Sequence, residues 1–530
     1  MALSQIVKQT CKVCGKIAEE LTFVKLGDTK LITLKCGHMV TETSMNASKS
    51  LSYEDIISSD GRKLMPFQIE GIKFMESANA RMILGDQQGL GKTVQICGLL
   101  KLHPELMPAV IEVKTTITEQ WRHEIVRWCG IQGFLTQVIK SGKEFAAPGF
   151  NIYIITYDLA KNDKMWDYVQ DDIKTVVIDE CQVIKDHTSE RAKAVQKICK
   201  FPNVEHVIPM SGTAIKNNAG EYFTVLNLVQ PKMFPYYNKF IENECDSYHN
   251  GWGYKVGGLK NPEAFAEKTK DFILRRTKDE VLKDLPAKSR RFQHVELAGK
   301  VKRAYTELLK ELEDVLYNDD MDAMQSGAAK IAIMIKMRHI TGISKVPAAV
   351  DQVVDFLSDS SHQRKLVVFT HHDLVMDGLV AELIPIMEEF GFAPPLKFHA
   401  GLSADKRYAL VEQFKAEPKA RLMIASTLAA GTGLNLQFCS DCIMLERQWN
   451  PADEEQAEDR FHRHGQENHV TINYMICSET IDEYFTQLVE QKRAIVAAAL
   501  DNKEYIWDQN SLMSELAMIL VAKGTKAWSL

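Results

Sequence analysis

The chain lacks several things, and each absence narrows what it is. No apolar run is long enough to cross a bilayer, so no membrane-spanning segment is expected. The N-terminus has no charged stretch leading into an apolar core, the mark of a secretory signal. The expectation is therefore an intracellular protein, cytoplasmic in a prokaryote or virus and nuclear in a eukaryote. Cysteine is sparse: eleven in 530 residues do not make a disulfide framework. Eight of them fall in apolar segments and read as small buried hydrophobes. A basic excess is missing too. The net charge of -6 argues against a surface that coats nucleic acid, but it leaves room for a local basic track. There is no internal repeat and no long low-complexity tract.

What remains is ordinary globular material. Hydrophobic residues at 45% and charged residues at 25% are the balance of a packed, water-soluble chain. The length suggests three or four units of roughly 150 residues. Short apolar runs alternate with amphipathic stretches, the pattern of parallel α/β layers. In the first half the runs are 81–85, 109–114, 152–157, 175–180 and 206–212. In the second they are 365–370, 396–401, 421–427, 442–446 and 470–476. Such strands, buried on both faces, carry their active groups at their C-terminal ends. Between the sets, 231–344 is rich in Lys and Glu with helical spacing and reads as a helical bridge, with helices over 297–316 and 328–343. The predicted layout is 1–50, a small Cys-bearing module; 51–230, a first lobe; 231–344, the bridge; 345–500, a second lobe; and 501–530, a tail. The tail's apolar run 512–521 is too short to span a membrane and reads as a docking helix.

The strongest local signal is Leu84-Gly85-Asp86-Gln87-Gln88-Gly89-Leu90-Gly91-Lys92-Thr93. An apolar strand enters a Gly-rich turn and then a helix over 94–102. Glycines let backbone N–H groups face an anion, and the helix N-terminus adds positive potential. Lys92 would reach the β and γ phosphates of ATP, and the Thr93 hydroxyl would bind Mg²⁺. Asp86 stands where the loop's first Gly is usual, so the nucleotide-binding set is Asp86, Gly89, Gly91, Lys92 and Thr93. The second signal is Val176-Val177-Ile178-Asp179-Glu180-Cys181-Gln182. Two acids ending a buried strand are costly unless a metal or partner compensates. Asp179 fits a Mg²⁺ ligand, and Glu180 fits the group that orients and deprotonates the attacking water.

With these motifs in order, the chain resembles the Swi/Snf-type branch of superfamily-two helicase-like ATPases over about 64–500. The resemblance implies an α/β fold of two tandem RecA-like lobes with parallel sheets. Leu64-Met65-Pro66-Phe67-Gln68 resembles the adenine-recognising segment, with Gln68 on the base. Ser211-Gly212-Thr213 resembles the motif that couples ATP state to lobe movement. Leu274-Arg275-Arg276-Thr277-Lys278 and Leu285-Pro286-Ala287-Lys288 resemble a signature of this branch. Ser426 to Leu436 matches the fifth motif, and Gln456-Ala457-Glu458-Asp459-Arg460-Phe461-His462-Arg463-His464-Gly465-Gln466 the sixth. If that stretch is helical, Gln456, Arg460 and Arg463 share one face at i, i+4 and i+7. The two guanidiniums would then stabilise transition-state charge on a γ-phosphate, as arginine fingers.

The resemblance implies translocation on double-stranded DNA, largely through phosphate contacts and without strand separation. Its contact motifs fall on Thr115, Thr156, Thr370, His399, Thr427 and Gly431. Three positions depart from the pattern. Gln182 stands where His is usual, a residue that with Ser211 and Thr213 serves coupling. Lys114-Thr115 replaces a Pro-containing turn, and Ala214 replaces Pro. None removes a group needed for hydrolysis. The partners implied are duplex DNA and DNA-bound proteins that the motor displaces, with no membrane and with a monomer favoured. Two rivals stay open: a strand-separating or annealing helicase on forks or RNA, and a motor-like fold that only binds DNA as a scaffold.

Near the N-terminus, Cys11-x-x-Cys14 and Cys36-x-His38 are separated by 21 residues. Two thiolates in a knuckle and a second close pair complete a tetrahedral structural Zn²⁺ site. The surrounding segment 1–50 has seven Lys against four acids, a net of +3, and would suit DNA or a partner.

Overall fold

In the computed structural model the described residues are 8–10, 17–26, 29–34, 39–43, 51–130, 134–212, 219–249, 254–297, 299–317, 323–359, 364–430, 434–448, 451–498 and 516–521. The chain divides into two compact units, 1–281 and 282–530.

The first unit opens with an antiparallel meander of β1 (Lys8–Thr10), β2 (Ile17–Leu26), β3 (Thr29–Leu34) and β4 (Met39–Thr43). Its main sheet follows: β5 (Ile83–Leu84), β6 (Ala109–Val113), β7 (Thr136–Val138), β8 (Ile152–Thr156), β9 (Thr175–Asp179) and β10 (His206–Met210). A hairpin of β11 (Cys245–His249) and β12 (Tyr254–Leu259) stands apart, and β13 (Ile273–Leu274) returns to the main sheet. The order is β13-β5-β10-β9-β6-β8-β7, parallel throughout. Strands β6, β8 and β9 are buried along their whole length. This is why they read as continuous apolar runs rather than as an alternation.

Register positions the chemistry. Leu84 pairs with Met210, and Met210 with Asp179. The exits of β5, β10 and β9 therefore stand level, and the phosphate loop, Ser211 and Glu180 leave the sheet side by side at its C-terminal edge.

The second unit holds β14 (Lys288–Val295), β15 (Leu366–Thr370), β16 (Leu396–Phe398), β17 (Leu422–Ser426), β18 (Asp441–Met444) and β19 (Val470–Cys477). They form a parallel sheet in the order β14-β19-β18-β15-β17-β16. Strand β15 shows how both faces are used. Val367 and Phe369 pack with Phe398, Phe461 and Tyr474. Leu366 and Val368 pack on the opposite face with Leu379, Leu383 and Met475. A third core is purely helical: Tyr305, Met334, Phe485 and Leu520 meet there, so the residues 516–521 of the tail dock as a short helix. No described helix is long and apolar enough to cross a membrane.

Every strand expected from the apolar runs is present. The helices expected in the bridge are Gly299–Leu316 and Ala323–Ser344. The bridge itself needs correction, because 231–344 is not only helical. It contains the hairpin β11–β12, an edge strand of the first sheet (β13) and an edge strand of the second (β14). Strand β13 is two residues long, too short to show a period. Strand β14 reads Lys-Ser-Arg-Arg-Phe-Gln-His-Val and is half-buried to exposed. Charge on an edge strand blocks further pairing and also hides the strand from an apolar-run reading.

Candidate nucleotide site and arginine segment

Strand β5 ends at Leu84, and the loop 85–91 leads into helix α2 (Lys92–Leu102). Gly91 sits at the helix N-cap with φ of +76°, where an L side chain is strained. A Cβ there would also lie 2.5 Å from Gln68 Nε2 and would push that amide aside. Lys92 Nζ donates to the Asp86 carbonyl at 2.7 Å, which holds the ammonium over its own loop. Gln68 lies in helix α1 (Pro66–Ser77) and is buried. Its Oε1 accepts from the Met65 N–H at 3.0 Å and its Nε2 donates to Leu90 O at 3.2 Å. The adenine-type segment and the phosphate loop are thus joined by one amide. Asp86 departs from its expected role at the nucleotide: its carboxylate is fully buried and held by Arg276 and Gln95, leaving its backbone to the loop.

The acids at the end of β9 are ordered by groups that the sequence reading missed. Trp121, in helix α3 (Thr118–Cys129), donates its indole N–H to Asp179 Oδ2 at 2.7 Å. Tyr157 donates its hydroxyl to the Asp179 carbonyl at 2.5 Å. A buried indole N–H needs a partner, and that was the signal available in the sequence. Burial, then the neighbouring Glu180 charge, push the Asp179 carboxyl up to about 6, against the lowering effects of Trp121 and Lys92. Glu180 adopts a left-handed backbone with φ of +55°, a cost that persists only where surroundings enforce it. Gln182 Nε2 donates to Glu180 Oε2, and Ser211 Oγ donates to Gln182 Oε1 at 2.7 Å. One amide therefore links the acid to the strand-end serine. Thr213 lies outside the described residues.

Hard oxygen donors suit Mg²⁺. The Thr93 hydroxyl and the Asp179 carboxylate are the groups that would supply them, and a carboxyl raised by burial beside another acid is one that a cation would relieve. Among the described residues no group of three or more His, Cys, Asp or Glu side chains forms a metal cluster. The zinc expectation at Cys11, Cys14, Cys36 and His38 lies outside them.

In the second unit the expected helix through Arg463 is corrected. It spans Pro451–Glu458 and then breaks into turns. Two anchors account for this. Glu458 is fully buried, takes a bidentate pair from Arg290 at 2.7 Å, and also accepts from Lys288 at 2.8 Å and from the Tyr474 hydroxyl at 2.7 Å. Three residues on, Phe461 is fully buried and meets Phe369 edge-on. Arg460 and Arg463 are both half-buried, and turn geometry rather than a helical face sets their positions. The Leu436 N–H donates to the Arg460 carbonyl at 3.1 Å, tying the fifth-motif segment to the sixth. Gln456 is buried, and its Nε2 has no hydrogen-bond partner among the described residues.

The residues expected at DNA divide. Thr115 is exposed. Thr156 is buried, and its Oγ1 accepts from the Leu159 N–H at 3.4 Å. His399 is half-buried, its Nδ1 taking the Gly401 N–H at 3.2 Å. Thr370 and Thr427 are fully buried, and the Thr427 hydroxyl donates to the Thr370 carbonyl at 3.1 Å. Neither hydroxyl reaches the surface, which corrects the expectation of direct phosphate contact through them. Gly431 lies outside the described residues.

Comparison with known proteins agrees with this architecture. The SNF2-related domain matches residues 67–348, more than half of the chain, and the helicase conserved C-terminal domain matches 348–465. The "SWI/SNF-related matrix-associated actin-dependent regulator of chromatin subfamily A-like protein 1" of Xenopus tropicalis is 29% identical over 447 residues, covering 83% of this chain and 45% of that protein. The human "DNA annealing helicase and endonuclease ZRANB3" is 26% identical over 451 residues, covering 83% of this chain and 41% of that protein. The chain thus spans less than half the length of either. The solved "Sulfolobus solfataricus SWI2/SNF2 ATPase core in complex with dsDNA" is similar at 20% identity and a TM-score of 0.39, covering 89% of this chain and 97% of that one. The chain belongs to the SNF2 family of helicase-like ATPases.

Proposed function

We propose that the chain hydrolyses ATP to move along double-stranded DNA, remodelling it or displacing proteins bound to it. One observation carries the hydrolytic part: Glu180 is held in a left-handed backbone and linked through Gln182 to Ser211, on strand exits level with the phosphate loop. A scaffold has no use for a strained acid beside a phosphate loop.

In this reading Lys92 and the loop N–H groups bind the phosphates, and Thr93 and Asp179 hold Mg²⁺, which would neutralise phosphate charge. Glu180 orients a water and takes its proton. Arg460 and Arg463 of the second unit supply positive charge as the γ-phosphate departs. Duplex DNA is the substrate implied by the family resemblance, and Thr115 and His399 remain the contact candidates with accessible surface.

The test is steady-state ATP hydrolysis without nucleic acid and with duplex DNA, single-stranded DNA or RNA, with Glu180→Gln as control. Stimulation by duplex that the variant loses supports the proposal. Stimulation by RNA or single strands alone favours the helicase alternative. Hydrolysis that Glu180→Gln leaves untouched removes the assignment.

A further inference from the structure

The last stretch of the first unit, just before the second begins at Leu282, is pinned to the phosphate loop. Strand β13 pairs with β5, Leu274 opposite Leu84, and the ladder continues past both strands. The Gly85 N–H donates to Leu274 O at 2.7 Å, and the Gln87 N–H donates to Arg276 O at 2.9 Å. The Lys278 N–H then donates to Gln87 Oε1 at 2.7 Å. Every bond joins the loop to the root of the connector between units.

One side chain extends this junction to the adenine-type segment. Arg276 grips Asp86 with both arms, Nε to Oδ1 at 3.0 Å and Nη2 to Oδ2 at 2.6 Å, with Asp86 fully buried. Its Nη2 also donates to Gln95 Oε1 at 3.2 Å, and its Nη1 donates to the Phe67 carbonyl. The guanidinium carbon lies 5.5 Å from the centre of the Phe67 ring. Helix α1 makes room for this with Gly71, where a Cβ would stand 1.9 Å from Gln95 Oε1 and 2.8 Å from Arg276 Nη2. An edge strand of two residues is weakly held by its ladder alone. A bidentate, largely desolvated pair is the strong, geometrically specific bond that fixes it.

We propose that Arg276 is a positioning residue for ATP: it locks the phosphate loop and the Phe67–Gln68 backbone in one arrangement, and ties that arrangement to the chain that leads into the second unit. The inference rests on the ATP reading above. Nucleotide binding and the docking of 273–278 then stabilise each other, because coupling between two sites is reciprocal.

The test compares Arg276→Lys, Arg276→Gln and Asp86→Asn with Arg81→Gln on the full chain. Arg81 is a structural comparator in the same unit: it donates to the carbonyls of Val229, Glu205 and Leu228 at the other end of β5. The readouts are melting temperature, affinity for a fluorescent ATP analogue, KM and kcat for ATP, and hydrogen exchange of peptides spanning 85–91 and 273–278. The proposal expects KM for ATP to rise about tenfold in Arg276→Gln and Asp86→Asn, with kcat changed less, as loss of a charge-assisted bond implies. Arg276→Lys should fall between these variants and the wild type. Both peptides should lose protection together, and bound nucleotide should raise protection of 273–278 in the wild type. Arg81→Gln should lower the melting temperature and leave KM within about twofold, the spread of ordinary surface substitutions. Equal KM shifts in Arg81→Gln, or an unshifted KM in folded Arg276 variants, overturn the proposal. If Arg276→Gln does not fold, Asp86→Asn and Arg276→Lys decide. A wild type that binds no nucleotide refutes the ATP reading itself, whereas binding with independent exchange in the two peptides refutes the latch alone.

Discussion

Gln182 stands where the family resemblance leads one to expect histidine, and its amide does a job that a carboxamide does well. It donates from one end to Glu180 and accepts at the other from Ser211. Gln182→Ala removes both bonds. We expect kcat for ATP to fall by about tenfold while nucleotide affinity stays nearly unchanged, since one positioning bond of this kind is worth roughly 1–1.5 kcal/mol. Steady-state kinetics with a binding titration checks it, and an unchanged kcat would show the bridge to be incidental. A second residue makes a sharper physical case. Glu112, in β6, is fully buried, neither carboxyl oxygen has a hydrogen-bond partner among the described residues, and burial pushes it up to about 8. In the unfolded chain it ionises near 4.5, so between about 4.5 and 8 the unfolded state sheds a proton that the folded state keeps. Stability from this residue is therefore lost as pH rises through that window. Glu112→Gln should raise the melting temperature at pH 8, by a stability gain on the order of a few kcal/mol, and change it little at pH 5. A gain of equal size at both pH values would contradict the assignment.

Elements explain what was legible in the sequence and what was not. The central strands read directly because they are buried on both faces and built of Val, Ile and Leu. The phosphate loop read directly because its glycines serve backbone geometry that no other residue supplies. The edge strands β13 and β14 did not read, one for brevity and one for charge. The helix expected through Arg463 did not hold either, because Glu458 and Phe461 are anchored in the core, and tertiary contacts override a periodicity seen in isolation. Trp121 and Glu458 were missed because each acts through a partner far away in sequence, and Glu454 because its partners, though near in sequence, lie across a turn rather than at helical spacing. Glu454 is the clearest: fully buried, it takes a bidentate pair from Arg447 at 2.9 and 2.6 Å and the Gln448 N–H at 2.8 Å. This fixes the start of the segment that ends in Arg460 and Arg463. Glu454→Ala leaves Arg447, itself almost fully buried, without its main carboxylate. Loss of one partner from such a pair costs about 3–5 kcal/mol, so thermal melting of the second unit should drop well below that of the first. A melting curve indistinguishable from the wild type would show that the pair is not an anchor.

At the scale of the whole chain, the level exits of β5, β10 and β9 in the first sheet bring the phosphate loop, Ser211 and Glu180 side by side, and the proposed hydrolysis rests on that. The 1–50 segment is a separate matter. The strand ends Thr10, Ile17, Leu34 and Met39, which flank the two Cys/His pairs, lie at one end of the meander. We propose one Zn²⁺ per chain held by Cys11, Cys14, Cys36 and His38. Metal analysis of the purified chain should find it, and Cys14→Ser should release it without abolishing ATP binding; zinc absent from the wild type would end that proposal. Movement on duplex DNA driven by ATP is read out by displacement of a third strand from a triplex. A motor of this kind releases the third strand only with ATP, fails to do so as Glu180→Gln, and leaves the underlying duplex paired. Robust hydrolysis with the third strand still bound, or separation of the duplex itself, would contradict it.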